Sequence, residues 1–185
     1  MKIKKIGDYC EAVTDYVANG SFKSLADNVK YLENGYARVI RLVDHNNNFN
    51  DNAIWVSKNS YEFLNKTKLF GDEIIISNVG ANYGTVFKCP TLEHPMTLGP
   101  NAILVKMQGN NDYYYYWFLS PFGQNAMKSI SSGSAIPKFN KTEFKKIEIP
   151  VPHIELQNKV VHILSKIDQK IELNNQTNDN LLAIA

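Results

Sequence analysis

The sequence lacks most of what would make a protein secreted, membrane-spanning or catalytic. It holds two cysteines, Cys10 and Cys89, too few for a disulfide framework and suited to a reducing cytosol. No apolar run approaches the roughly 18 residues of a membrane span. The opening residues reach Asp8 without an apolar core segment, so no secretory signal is expected. Excess charge is also scarce. Twenty Lys and Arg stand against 18 Asp and Glu, a net charge of +2 over 185 residues, which excludes indiscriminate coating of a polyanion but leaves room for a local basic face. With 44% hydrophobic and 21% charged residues the chain sits near globular norms. A soluble, cytoplasmic protein of one domain, or one domain with an appendage, is expected.

Catalytic signatures are missing as well. There is no Gly-x-x-x-x-Gly-Lys-Ser/Thr phosphate loop, no strand–Gly-x-Gly-x-x-Gly–helix unit and no Gly-x-Ser-x-Gly elbow. His45, His94, His153 and His162 are scattered, and none pairs with a cysteine at metal-ligand spacing. Asp72-Glu73 precedes a strand but lacks the acid–x–Lys companion of a metal-dependent nuclease, and the Asn-Pro-Pro-aromatic loop of adenine methyltransferases is absent. No catalytic residue, metal ligand or cofactor is assigned to this chain.

What is present divides into two kinds of text. Residues 1–152 are rich in Asn, Gly and aromatics and read as strands and turns, whereas 153–185 contain no Gly or Pro. Pro150-Val151-Pro152 marks the junction, since each proline holds its predecessor extended. In the first part, residues 36–43, 53–56, 73–78, 85–89 and 102–107 read as strands. Ile74-Ile75-Ile76 suits a strand covered on both faces. Residues 73–89 form a hairpin, and 147–151 an edge strand that tolerates proline. Asn59 and Asn140, each followed three residues later by Glu, predict helix starts near 60 and 141, the second with a Phe139–Phe144 staple. Ser120-Pro121 predicts a third start, and 112–119 a further helix whose aromatics form core. The fold class is mixed α/β (α+β), followed by a long C-terminal coiled-coil helix.

That helix carries the sharpest pattern. Val160, Leu164, Ile167, Ile171, Asn174, Asn178, Leu181 and Ala185 are spaced alternately four and three apart, the a/d seam of a coiled coil. A helix over 154–185 would be about 48 Å long, more than the face of one small domain covers, so the seam is expected to pair with another helix. Asn174 and Asn178 interrupt it with groups that can select register. The last residues carry no stop signal, as in a helix that is cut.

The polar stretches of the body hold base- and phosphate-binding chemistry, because Asn pairs bidentately with adenine, Arg or Lys with guanine, and Ser, Thr or Lys with phosphate. The candidate DNA-contacting residues are Ser21, Lys23 and Ser24; Arg38 and Arg41, on opposite faces of a strand; Asn78, Asn82 and Tyr83; Ser132 and Ser134; and Lys138, Asn140 and Lys141. Residues 44–52 read as a turn-rich loop.

One series of motifs has a familiar order. Gly71-Asp72-Glu73-Ile74-Ile75-Ile76-Ser77 comes first, then Ser132-Gly133-Ser134-Ala135-Ile136-Pro137-Lys138-Phe139-Asn140. Phe144-Lys145-Lys146-Ile147-Glu148-Ile149-Pro150-Val151-Pro152 follows, and Glu155-Leu156-Gln157 opens the heptad helix. Over essentially its full length the chain resembles one half of the specificity subunit of type I restriction-modification systems. The resemblance implies a target recognition domain (1–152) that reads one half-site of a split double-stranded DNA target, and a conserved-region helix (153–185) that sets the spacing between half-sites. It implies a non-catalytic subunit that docks modification (methyltransferase) subunits and, through them, restriction subunits. S-adenosylmethionine, Mg and ATP would belong to those partners. Family members carry two recognition domains and two helices; this sequence has one of each, as in a half-subunit that pairs as a homodimer or a fragment that pairs with a second half. The alternatives are a coiled-coil adaptor that binds protein, not DNA, and a stand-alone nuclease or methyltransferase domain.

Overall fold

Alternation along the strands sorts the apolar side chains into three cores between four layers. The computed structural model describes residues 2–50, 53–131 and 136–184. Along the chain the strands are β1 (Lys2–Lys5), β2 (Cys10–Asp15), β3 (Tyr31–Leu32), β4 (Ala37–Ile40), β5 (Ile54–Val56), β6 (Lys68–Leu69), β7 (Ile74–Ser77), β8 (Val86–Lys88), β9 (Met96–Leu98), β10 (Ala102–Met107) and β11 (Glu148–Val151). The α-helices are α1 (Phe22–Asn28), α2 (Leu42–Asn46), α3 (Lys58–Phe63), α4 (Asn111–Leu119), α5 (Pro121–Ser129), α6 (Lys141–Phe144) and α7 (Ile154–Ile184).

An antiparallel sheet of order β2-β10-β7-β8 faces a mixed sheet of order β3-β5-β4-β9-β6, in which only β4 and β9 run parallel. Ile74 and Ile76 of β7, with Ile103 and Val105 of β10, point to a core closed by Tyr114, Phe118, Met127, Phe139 and Phe144. Ile75 and Leu104 point the other way, against Ile40, Met96 and Leu98 of the second sheet. That sheet's far side, through Val39 and Val56, packs on Leu25 of α1 and Tyr61 of α3. The three successive isoleucines are therefore all buried because the strand lies between two layers.

The expected hairpin is present, with Ile75 opposite Phe87. Residues 148–151 pair antiparallel with β1, placing Lys2 opposite Val151 and Lys5 opposite Glu148. Asn140 caps α6 and Ser120 caps α5, each by accepting a backbone N–H three residues on. Phe139 and Phe144 stack at 5.7 Å.

Two local expectations are corrected. The strand expected over 36–43 stops at Ile40, because the buried Asp44 carboxylate accepts the Arg41 backbone N–H at 2.8 Å and turns the chain into α2. Arg41 is thus a helix cap, not the strand-mate of Arg38, and α2 occupies the start of what read as loop. Helix α3 begins two residues earlier than expected, with Ser57 as its cap in place of Asn59, because the Ser57 hydroxyl accepts the Ser60 N–H.

Helix α7 leaves the body after a short contact with α4. Among its described side chains, Gln157 alone is fully buried. Val160, Val161, Leu164 and Ser165 are half-buried, and all later described side chains are exposed. The Tyr116 hydroxyl donates to Asp168 Oδ2 at 2.6 Å where the contact with the body ends. No described helix is long and apolar enough to cross a membrane.

Candidate nucleic-acid interface

Three of the five polar stretches meet at one cleft. It has a volume of about 800 Å³ and is bordered by Phe22, Asn78, Ile130, Lys138, Asn140 and Glu143, with Asp15, Tyr16 and Asn101 behind them. The N-terminus of α1, the turn after β7, the end of α5 and the start of α6 each supply part of the rim.

Each wall has a local cause. Ser21 caps α1 by accepting the Ser24 N–H at 3.2 Å, which fixes the turn that carries Phe22, Lys23 and Ser24 to the surface. Phe22 is 84% exposed. Asn78 is tied to Phe139 twice: its Nδ2 donates to the Phe139 carbonyl at 3.0 Å, and its own carbonyl accepts the Phe139 N–H at 3.1 Å. Among the described residues Asn78 Oδ1 is buried without a hydrogen-bond partner. Asn101, whose carbonyl accepts the Asn78 N–H at 3.1 Å, adopts a left-handed φ of 64°, a conformation in which asparagine is enriched. Tyr83 packs edge-on against Phe139 at 6.2 Å, and the Asn82 carbonyl accepts the Thr85 hydroxyl, which closes the turn.

The cleft has mixed charge. Lys141 Nζ pairs with Asp15 Oδ1 at 2.8 Å, so that lysine is engaged within the protein. Glu143 pairs with Lys146 at 2.7 Å. Lys138 is exposed and forms a bridge to Val79 across the two loops. Burial, and then a hydrogen bond with Tyr31, raises the Tyr16 hydroxyl above the usual tyrosine range, so it stays a neutral hydrogen-bonding group. Among the described residues no group of three or more His, Cys, Asp or Glu could hold a metal ion.

Arg38 and Arg41 stand apart from this cleft. Arg38 Nη2 donates to the Phe49 carbonyl at 2.9 Å, holding a phenylalanine with a left-handed φ of 59°. Arg41 grips both Asp44 oxygens, at 2.9 and 2.6 Å, and borders a second cleft of about 960 Å³ with Tyr31, Asn34 and Trp55. Each guanidinium group thus has a partner within the fold. Ser132 and Ser134 lie outside the described residues. The sequence pattern did not single out Asp15, Tyr16, Phe22 or Asn101; the Pro100-Asn101 pair was the one available turn signal.

On the helix, Ile167, Ile171, Asn174, Asn178 and Leu181 of the seam are exposed, whereas Val160 and Leu164 already lean on the body.

Comparisons with known proteins show the family and the fold. The pattern of the family described as "Type I restriction modification DNA specificity domain" matches residues 1–183, and the chain belongs to that family. It is 30% identical over 115 residues to the type I restriction enzyme MjaIX specificity subunit of Methanocaldococcus jannaschii, a match covering 62% of this chain and 26% of that protein. The MjaVIII specificity subunit of the same organism is 30% identical over 107 residues, covering 54% and 23% of the two chains. The fold is similar to the S subunit of a type I system from M. genitalium (TM-score 0.59, 15% identity, 92% of this chain and 40% of that one). It is also similar to the HsdS subunit of Thermoanaerobacter tengcongensis (TM-score 0.61, 16% identity, 93% and 38%). The matched stretch is about a quarter of the length of the curated relatives and about two-fifths of the solved chains.

Proposed function

We propose that this chain is a DNA-reading unit of a type I restriction-modification specificity subunit. The body reads a few base pairs of a split target through the cleft at Phe22, Asn78, Lys138 and Asn140. Helix α7 pairs with a second such helix, from another copy or another half, and so fixes the distance between half-sites. The unit supplies no catalysis. It docks modification subunits, and restriction subunits through them; S-adenosylmethionine, Mg and ATP are bound by those partners.

The observation that carries this reading is the meeting of three sequence-distant polar stretches at one cleft, in a chain of the DNA specificity family. Fluorescence anisotropy with duplex DNA at a series of salt concentrations tests it. Phosphate contacts make log affinity fall steeply with log salt. Binding to duplex with such a slope is expected. No duplex binding at low salt, alone or with a modification subunit, would contradict it and favour the protein-binding adaptor.

A further inference from the structure

Strand β1 adds nothing to the core. All four of its residues, Lys2, Ile3, Lys4 and Lys5, are exposed, and Ile3 is 56% exposed. It is held only as the outer strand of the ribbon with β11, whose Ile149 is buried. Lys2 and Lys4, two residues apart on a strand, project from the same face about 6.6 Å apart. With His153 they border a shallow dent at the root of α7.

The ribbon continues towards helix α6, whose start borders the cleft. The Gly7 N–H donates to the Lys145 carbonyl and the Ile6 N–H to the Ile147 carbonyl, both at 2.9 Å, so the segment after β1 runs beside the segment after α6. Lys145 and Lys146 are exposed there, and α6 begins at Asn140 on the cleft rim. Lys4 lies over the Tyr9 ring at 4.8 Å and Lys146 pairs with Glu143. Among the described residues no carboxylate forms an ion pair with Lys2, Lys5 or Lys145. Lys5 projects from the opposite face of the strand to Lys2 and Lys4, and around the ribbon Lys2, Lys4, Lys5, Lys145 and Lys146 outnumber Asp8, Glu143 and Glu148 by two.

We propose that this lysine ribbon is a sequence-independent contact for the DNA phosphate backbone, leading the duplex from the reading cleft towards the root of the terminal helix. The inference rests on the DNA-reading function proposed above. Exposed lysines on a strand that buries no side chain, outside the reading cleft, suit a uniform polyanion.

The test compares three forms of the full chain on a duplex extending well beyond the bound site: wild type, the double variant Lys2→Gln/Lys4→Gln, and a control, Lys30→Gln/Lys58→Gln, that removes the same charge from exposed positions elsewhere. Each phosphate contact contributes about 0.9 to the slope of log affinity against log salt. The ribbon variant is expected to lose about two from that slope, with base preference unchanged and the control close to wild type. Lys145→Gln, on a different segment, should lose about one. An unchanged slope in the ribbon variants, while wild type still binds with a steep slope, overturns the ribbon and leaves the reading function standing. Equal losses in ribbon variant and control, or a changed base preference, overturn it too. Failure of wild type to bind duplex overturns both.

Discussion

Gln157 Oε1 accepts the Asn110 backbone N–H at 2.9 Å, while its Nε2 donates to the Pro152 carbonyl at 2.9 Å. One buried amide thus joins the first turn of the terminal helix to the start of α4 and to the proline step that introduces the helix. Gly109 makes room for it: a Cβ there would lie 2.9 Å from Gln157 Oε1, and its φ of +76° is one that side chains resist.

Gln157→Leu should therefore cost about 2 kcal/mol, from two lost hydrogen bonds and a buried backbone N–H left without a partner. Gly109→Ala should destabilise through the same contact. Denaturant melts of the full chain measure both. Wild-type stability in Gln157→Leu would show that the amide does not hold the helix to the body.

The two ends of the seam should respond differently. Ile171 is 52% exposed and beyond the contact with α4, so Ile171→Glu should abolish self-pairing and lower the melting temperature only by what pairing contributes. Leu164 is half-buried, so Leu164→Glu should lower both pairing and stability. Sedimentation velocity and thermal melts separate the two effects. A dimer retained in Ile171→Glu would contradict a coiled coil through this seam.

Asn140 serves both as the cap of α6 and as a rim residue of the cleft. Asn140→Ser keeps a cap acceptor and should preserve stability, whereas Asn140→Ala should lose about 1 kcal/mol. If the side chain reads a base, both substitutions weaken binding to the preferred duplex. Phe22→Ala, at an exposed position, should also weaken binding without a change in melting. Wild-type affinity in both Asn140→Ser and Phe22→Ala would remove the cleft from the interface.

Thiol and imidazole titrations follow from burial. Desolvation first, with Glu73 adding to it, pushes the Cys89 thiol up to about 12. Cys10, half-buried, is raised in the same direction by burial. A raised thiol keeps its proton in the folded chain while the unfolded chain loses it near pH 8.5, so its stabilisation is full below that pH and is lost as pH rises towards 12. In native protein at pH 8, alkylation should reach Cys10 slowly and spare Cys89 until unfolding; equal native rates would contradict the burial. His45 stacks on Phe87 at 4.4 Å, and burial lowers its pKa. The unfolded chain then takes up that proton first, so stability should fall as pH drops through about 6.5, and less so in His45→Gln.

Much of this architecture was legible in the sequence, for physical reasons. The apolar run at 74–76, the Asn140 and Ser120 caps and the heptad spacing are local patterns, and each is found where it was read. Strands β1 and β2 were not legible, because Lys2–Lys5 buries no side chain and β2 buries only Val13. The end of β4 was missed because the Asp44 carboxylate, three residues on, decides it. For the site, composition identified the polar stretches but not their meeting point. Arg38 and Arg41 lie away from the cleft, with the Phe49 carbonyl and Asp44 as their partners. The partners that tie up Lys141 and Asn78 lie 126 and 61 residues away in sequence, a separation that no local pattern reports.

Selection of bound duplexes from a random library, with the full chain alone and then with a modification subunit, tests the central claim most directly. A short enriched motif, present as an inverted repeat at fixed spacing when the helices pair, is the predicted result. Duplexes recovered from both selections with no base preference at any position would contradict sequence reading by this chain.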